Sequence, residues 1–152
     1  DVSRVELMSN MFRDCPAFTG DLSGWDVSSV TSMSNMFNGA VSFNGNIEGW
    51  DVSSVTDMRE MFRATAGQLG SFDRDIGGWD ISDVTNMTGM FSYNPLSTAN
   101  YDALLIGWAQ QDVQPDVSFD AGYSSFTSAA VPARETLTDP PNNWTIRDAS
   151  TQ

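Results

Sequence analysis

With 152 residues, 40% of them apolar, the chain can bury one sizeable core and is too short to argue for two domains. It carries 20 acidic residues against 7 basic ones, all arginine, for a net charge of −13; this argues against nucleic acid or anionic lipid as partner and favours cations or basic surfaces. Histidine and lysine are absent, and with them Ser-His-Asp and Cys-His catalysis, histidine zinc sites, P-loops and Schiff-base chemistry are excluded. No apolar run reaches the length of a membrane span, so no direct membrane insertion is expected.

In chain order the dominant signal is self-similarity. Aligned on tryptophan, four units read 1–25, 26–50, 51–79 and 80–108, each opening on Asp-Val or Asp-Ile and closing on Gly-Trp. A fixed period of this size predicts stacked repeats, because no single unit can bury its own apolar face. Within the second unit the apolar frame is Val27, Val30, Met33, Met36, Phe37, Phe43, Ile47 and Trp50. Gaps of three over Val30 to Phe37 suit a short helix or 3₁₀ turn, and the alternation at the end of Leu22-x-x-Trp25-x-Val27 reads as a short strand. The expected fold is therefore a repeat solenoid with one short parallel strand and one short helical turn per unit. The tryptophans and the Met-Phe pairs at 11/12, 36/37, 61/62 and 90/91 are expected in the core, as is Cys15, the only cysteine.

Beyond Trp108 the period breaks. Tyr101 to Trp108 has helical spacing, Val117 to Phe119 reads as a strand, Ser128 to Leu137 as a helix and Trp144 to Ile146 as a last strand. Residues 109–152 are thus expected to be an α/β segment capping the stack within the same domain. At the other end Asp1 falls just where a Gly-Trp would precede it, so the chain is expected to be part of a larger polypeptide.

The frame L-x-x-W-x-V followed by V-x-x-M-x-x-M-F, repeated four times over residues 1 to 108, resembles the BspA-type leucine-rich repeats of bacterial surface proteins, in the branch with "WDVSSVTDMSGMF" units. Met and Trp stand here where that family has Leu, and Ala40 fills the position that Cys15 holds in the first unit. The resemblance implies an extracellular, cell-surface location and a non-catalytic binding or adhesion role toward a protein or glycan on another cell or host surface. A purely structural spacer is the alternative. A carbohydrate-active enzyme with paired aspartates is the third reading, disfavoured because a regular repeat stack lacks the deep cleft such a pair requires.

Two sets of residues are candidate sites. Asp26, Asp51 and Asp80, with Ser28, Ser53 and Ser82 two residues on, recur outside the apolar frame and would align on stacking. Two carboxylates about 5 Å apart repel by roughly 1 kcal/mol in water and about 3 at an effective dielectric near 20. Relief can come from local turn capping, which takes precedence for short acidic side chains, from a bound Ca²⁺, or from a cationic partner. Asp73 and Asp75 belong to a second column with Asp21, Asn44 and Asn46 and are the candidate metal ligands. No cofactor is required by any motif, and the spacing of a calcium loop is absent.

Overall fold

The computed structural model describes residues 1–151. Its regular elements are α1 (Thr98–Trp108), β1 (Ser118–Asp120), α2 (Val131–Thr138) and β2 (Thr145–Arg147). All four follow residue 97. The expected repeat solenoid, with a strand and a short helix in each unit, is contradicted. Among the described residues there are two short helices and two short strands, and residues 1–97 contain turns and isolated bridges instead.

The reason lies in what the gaps of three encode. Both a 3₁₀ helix and a β-turn close a hydrogen bond from residue i to i+3, so the spacing does not distinguish them. Here the N–H of Val30 donates to the Val27 carbonyl (2.9 Å), Met36 to Met33 (3.1 Å), Ala40 to Phe37 (3.0 Å), Phe43 to Ala40 (2.9 Å) and Trp50 to Ile47 (3.1 Å). Each apolar pair marks the two inward corners of one turn. Continuation into a helix is blocked by a left-handed residue at one fixed slot: Asn10 (φ 63°), Asn35 (57°), Glu60 (53°) and Gly89 (68°). Asn and Gly tolerate that region. The strand expected at Trp25-x-Val27 is likewise a turn, with Trp25 N–H on the Leu22 carbonyl at 3.0 Å.

Inter-unit pairing instead uses the segment expected to be helical. Leu7, Ser32, Asp57 and Asn86 form successive parallel bridges, three residues ahead of each left-handed slot. Alternate N–H groups then donate to the next unit: Met33 to Asp57 O (2.9 Å), Asn35 to Arg59 O (2.8 Å), Phe37 to Met61 O (2.9 Å) and Gly39 to Arg63 O (2.9 Å). These bonds satisfy the buried backbone without long strands.

The core is columnar. Met33, Met58 and Met87 are fully buried, and the rings of Phe12, Phe37, Phe62 and Phe91 stack in series with centroids 5.2 to 5.7 Å apart. Phe43 and Phe72 lie against that column at 4.0 and 3.9 Å. Trp50, Trp79 and Trp108 are buried, each indole N–H donating to a carbonyl of the preceding unit: Leu22 (3.1 Å), Ile47 (3.2 Å) and Ile76 (3.2 Å). Burial of an indole is worth roughly 4 to 6 kcal/mol by area. Among the described residues the first unit packs against the second alone, and there the core expectation fails in part. Met11 and Cys15 are exposed and Trp25 is half-buried.

The C-terminal segment continues the stack and changes its packing. Met87 bridges to Phe119, and β1 pairs in parallel with β2, Phe119 opposite Ile146. Phe119 meets Phe91 edge-on, at 84°, so the parallel ring column ends there. Helix α1 approaches the third unit so closely that a Cβ on Gly107 would strike the Gly77 backbone. Arg134 on α2 forms a bidentate pair with Asp148 (2.8 and 2.9 Å), whose carboxylate also accepts the Tyr101 hydroxyl at 2.6 Å. Burial, then the Asp148 contact, pushes the Tyr101 phenol far above its usual range; the hydrogen bonds to Asp148 outweigh partial burial and raise Arg134.

Candidate functional site

The repeated aspartates occupy equivalent turns. Asp26 Oδ1 accepts the Ser28 hydroxyl at 2.7 Å and its N–H at 3.2 Å; for Asp51 and Ser53 the distances are 2.6 and 3.1 Å, and for Asp80 and Ser82 they are 2.7 and 3.1 Å. Asp1 and Ser3 repeat the arrangement at 2.7 and 3.0 Å. In each case the serine hydroxyl and N–H close on one carboxylate oxygen, an Asx turn reinforced by a side chain. These bonds hold Asp26 and Asp51 below the ordinary carboxylate range, the serine hydroxyl contributing most; Asp51 pushes Asp26 slightly the other way.

The four aspartates are exposed and the serines half-buried. Buried Val27, Val52 and Ile81 lie beside them and fix the backbone from which they project. The face is therefore a regular row of exposed turns, each holding Oδ1 on its serine, with Oδ2 outside these bonds. It can engage cationic groups at the spacing of the repeat, about 4.8 Å where the backbones pair.

The second column also caps backbone. Asp21 Oδ1 accepts Ser23 N–H (2.9 Å), Asn46 Oδ1 accepts Glu48 N–H (3.4 Å) and Asp75 Oδ1 accepts Gly77 N–H (3.0 Å). Asp73 does more: its Oδ1 takes the N–H and hydroxyl of Ser97, both at 2.9 Å, and the Asn100 amide at 2.8 Å. Ser97 is the N-cap of α1, so Asp73 closes the start of that helix from the preceding unit. Burial pushes Asp73 up, but these donors together with Arg74 outweigh it and leave the group lowered. Asp73 and Asp75 are thus turned to different donors. Among the described residues no cluster of three or more acidic, histidine or cysteine side chains could hold a metal ion.

A third locality escapes sequence reasoning. Between the last repeat and the C-terminal strands lies a cleft of about 180 Å³ lined by Arg63, Ser92, Tyr93, Asp120, Tyr123 and Arg147. Asp120 Oδ2 accepts the Ser92 hydroxyl (2.7 Å) and Oδ1 the Gly122 N–H (2.9 Å). Arg147 stands 3.8 Å from Asp120 and over the Tyr123 ring at 5.7 Å. Tyr93 and Tyr123 are both left-handed, at φ 62° and 72°. A bulky residue there costs of order 1 to 3 kcal/mol. A faint signal existed in the sequence, since Tyr93 fills the slot that Asp14 and Gly39 hold in earlier units.

No curated protein and no solved structure matches the chain significantly. No helix among the described residues is long and apolar enough to cross a membrane. A family model does match, over residues 1–108, the whole four-unit stretch whose turns carry the Asp-Ser row. On that match the chain belongs to the family described as Mycoplasma protein of unknown function, DUF285.

Proposed function

We propose that this chain is a non-catalytic recognition module of a larger bacterial surface protein, displayed outside the cell and engaging a protein or glycan through its exposed repeat face. One observation carries the reading: the Asp-Ser turn recurs four times with the same geometry, always at the surface. A single cap could be incidental, but four in register amount to a multivalent display of carboxylate oxygens, suited to basic groups on a partner. The resemblance of the units to BspA-type surface proteins supports the cell-surface setting. The same hydrogen bonds also favour a second reading, a structural spacer, because each aspartate already has local donors.

The double variant Asp51→Ala with Asp80→Ala separates the two. A recognition role predicts weaker capture on an array of basic peptides and glycans, with a melting temperature within a few degrees of the parent. Unchanged capture assigns the aspartates to capping alone. Running the array with and without calcium tests the ion as well, since a Ca²⁺-dependent face loses capture and melting temperature together on chelation. Turnover of any glycan on the panel would overturn the non-enzymatic reading.

A further inference from the structure

We propose that the cleft between the last repeat and the C-terminal strands is a separate binding site for one carboxylate-bearing sugar ring, a uronic acid. The proposal uses none of the residues of the Asp-Ser face and rests on the preceding reading only in taking the chain as a recognition module. Its volume is about 180 Å³, below the roughly 300 to 1,000 Å³ typical of sites for drug-sized ligands. That is room for a single ring.

The chemistry of the walls is unusual for this chain. The sequence has seven arginines and three tyrosines, and two of each meet here. The one acidic wall group, Asp120, is 15% exposed, with its oxygens engaged by Ser92 and Gly122 and Oδ2 also in a 3.8 Å ion pair with Arg147 that is too long for a hydrogen bond. Arg147, in contrast, is 68% exposed. Its guanidinium carries five N–H donors, of which one reaches the Tyr123 hydroxyl at 3.4 Å. A planar fork with free donors suits a carboxylate. Arg63, which gives one N–H to Glu60 at 2.9 Å, also lines the cleft.

The tyrosines complete the match. They are 36% and 60% exposed, so neither serves the core, yet both are held in left-handed backbone that disfavours a large side chain. Strain of this kind persists where surroundings impose it, and it collects at ligand sites. An aromatic face with a hydroxyl at its tip offers the C–H face of a sugar a surface and its hydroxyls a partner. The net charge of −13 does not forbid an anion here. Charges beyond about 8 Å are screened at physiological salt, whereas a guanidinium in contact is not.

The test titrates the full chain with glucuronate and galacturonate, followed by ligand-observed NMR, beside glucose, galactose, acetate and an Asp-Glu peptide. Saturable binding of a uronate is expected, with the neutral sugar and acetate each at least about 10-fold weaker. Arg147→Gln and Tyr123→Asn should each weaken it by about 10-fold at unchanged circular dichroism; asparagine tolerates the left-handed backbone. Asp51→Ala with Asp80→Ala should leave uronate binding intact while reducing capture of basic ligands, so the two sites fail independently. No saturation by either uronate at roughly 50 mM, a concentration at which even millimolar binding is complete, would overturn the proposal. So would full binding by Arg147→Gln, or the acidic peptide or acetate binding as well as the uronate.

Discussion

Residues 1–97 and 98–151 solve the same packing problem by different means. In the first region stability is distributed: the units share a set of i to i+3 turns, the same N–H donation to a neighbour and the same ring in the same column. In the second it is concentrated, with Arg134, Asp148 and Tyr101 tying α2 and the final segment to α1 at a carboxylate only 5% exposed. Repetition spreads a load over backbone bonds that no single side chain controls. The second region breaks that repetition, and it uses specific side chains instead.

The largest effect should come from the middle of the stack. Trp79→Ala removes a fully buried indole and its bond to Ile47, and is expected to cost about 4 kcal/mol, or roughly 10 °C, by urea and thermal melts. The same change at half-buried Trp25 should cost less than half of that. Equal losses would show that the first unit is as tightly held as the third, which breaks the picture of a graded stack.

Asp148→Ala is next, at about 3 kcal/mol, because it leaves the Arg134 guanidinium and the Tyr101 hydroxyl without their partner in a poorly solvated place. Hydrogen exchange makes the comparison sharper. Protection should collapse in α2 and β2 while the N–H groups of Met33, Asn35 and Phe37 keep theirs. Global loss of protection would mean that the two regions unfold as one unit.

How much of this was legible follows from what each pattern encodes. The columns of Met33, Phe37 and Trp50 are visible in the sequence, because burial repeats with the unit. The backbone path is not, since gaps of three fit a 3₁₀ helix and a chain of turns equally. The left-handed slot would have decided it through Asn10, Asn35 and Gly89, but Glu60 in the same column hides the pattern. Asn38 and Arg63 bind the Glu60 carboxylate there, at 3.0 and 2.9 Å. In the C-terminal third the helical and strand patterns do locate the elements to within a few residues. The Asp-Ser turns were legible as caps because Asp and its donor are two residues apart. The cleft was not, because Arg63 and Arg147 come together only through the stacking of the last units.

Asp73 links the two regions, and its removal should have an intermediate effect. Asp73→Ala leaves the start of α1 without its three-donor acceptor, a loss of about 1 kcal/mol, small because the group is only partly buried. It also predicts a pH dependence. Asp21, Asp26, Asp51 and Asp73 are all held below the ordinary aspartate value of 3.8, so each binds its proton less readily folded than unfolded. Their contribution is complete above that value and is lost as pH falls through the folded one. Protonation meanwhile relieves self-repulsion at a net charge of −13, which acts the other way. Melting temperature should therefore hold or rise slightly as pH falls toward 4, then drop below it. Asp73→Asn should flatten that drop, and a parent curve that rises steadily to pH 3 would remove the capping contribution.

The smallest effect is expected where the sequence repeats itself most plainly. Asp51 and Asp80 each bind a serine two residues away in an exposed turn, and neither bond crosses to another unit. The ties between units run through backbone pairs such as Thr85 N–H on Thr56 O at 2.9 Å, which the aspartates do not touch. Asp120 forms the same kind of turn with Gly122, yet it also accepts Ser92 from the last repeat and so joins the two regions. Asp120→Ala should then lower the melting temperature more than Asp51→Ala and Asp80→Ala together, although it removes one carboxylate and they remove two. The reverse order would mean that the exposed turns hold the stack, and a recurring geometry that costs stability to lose would no longer need a ligand to explain it.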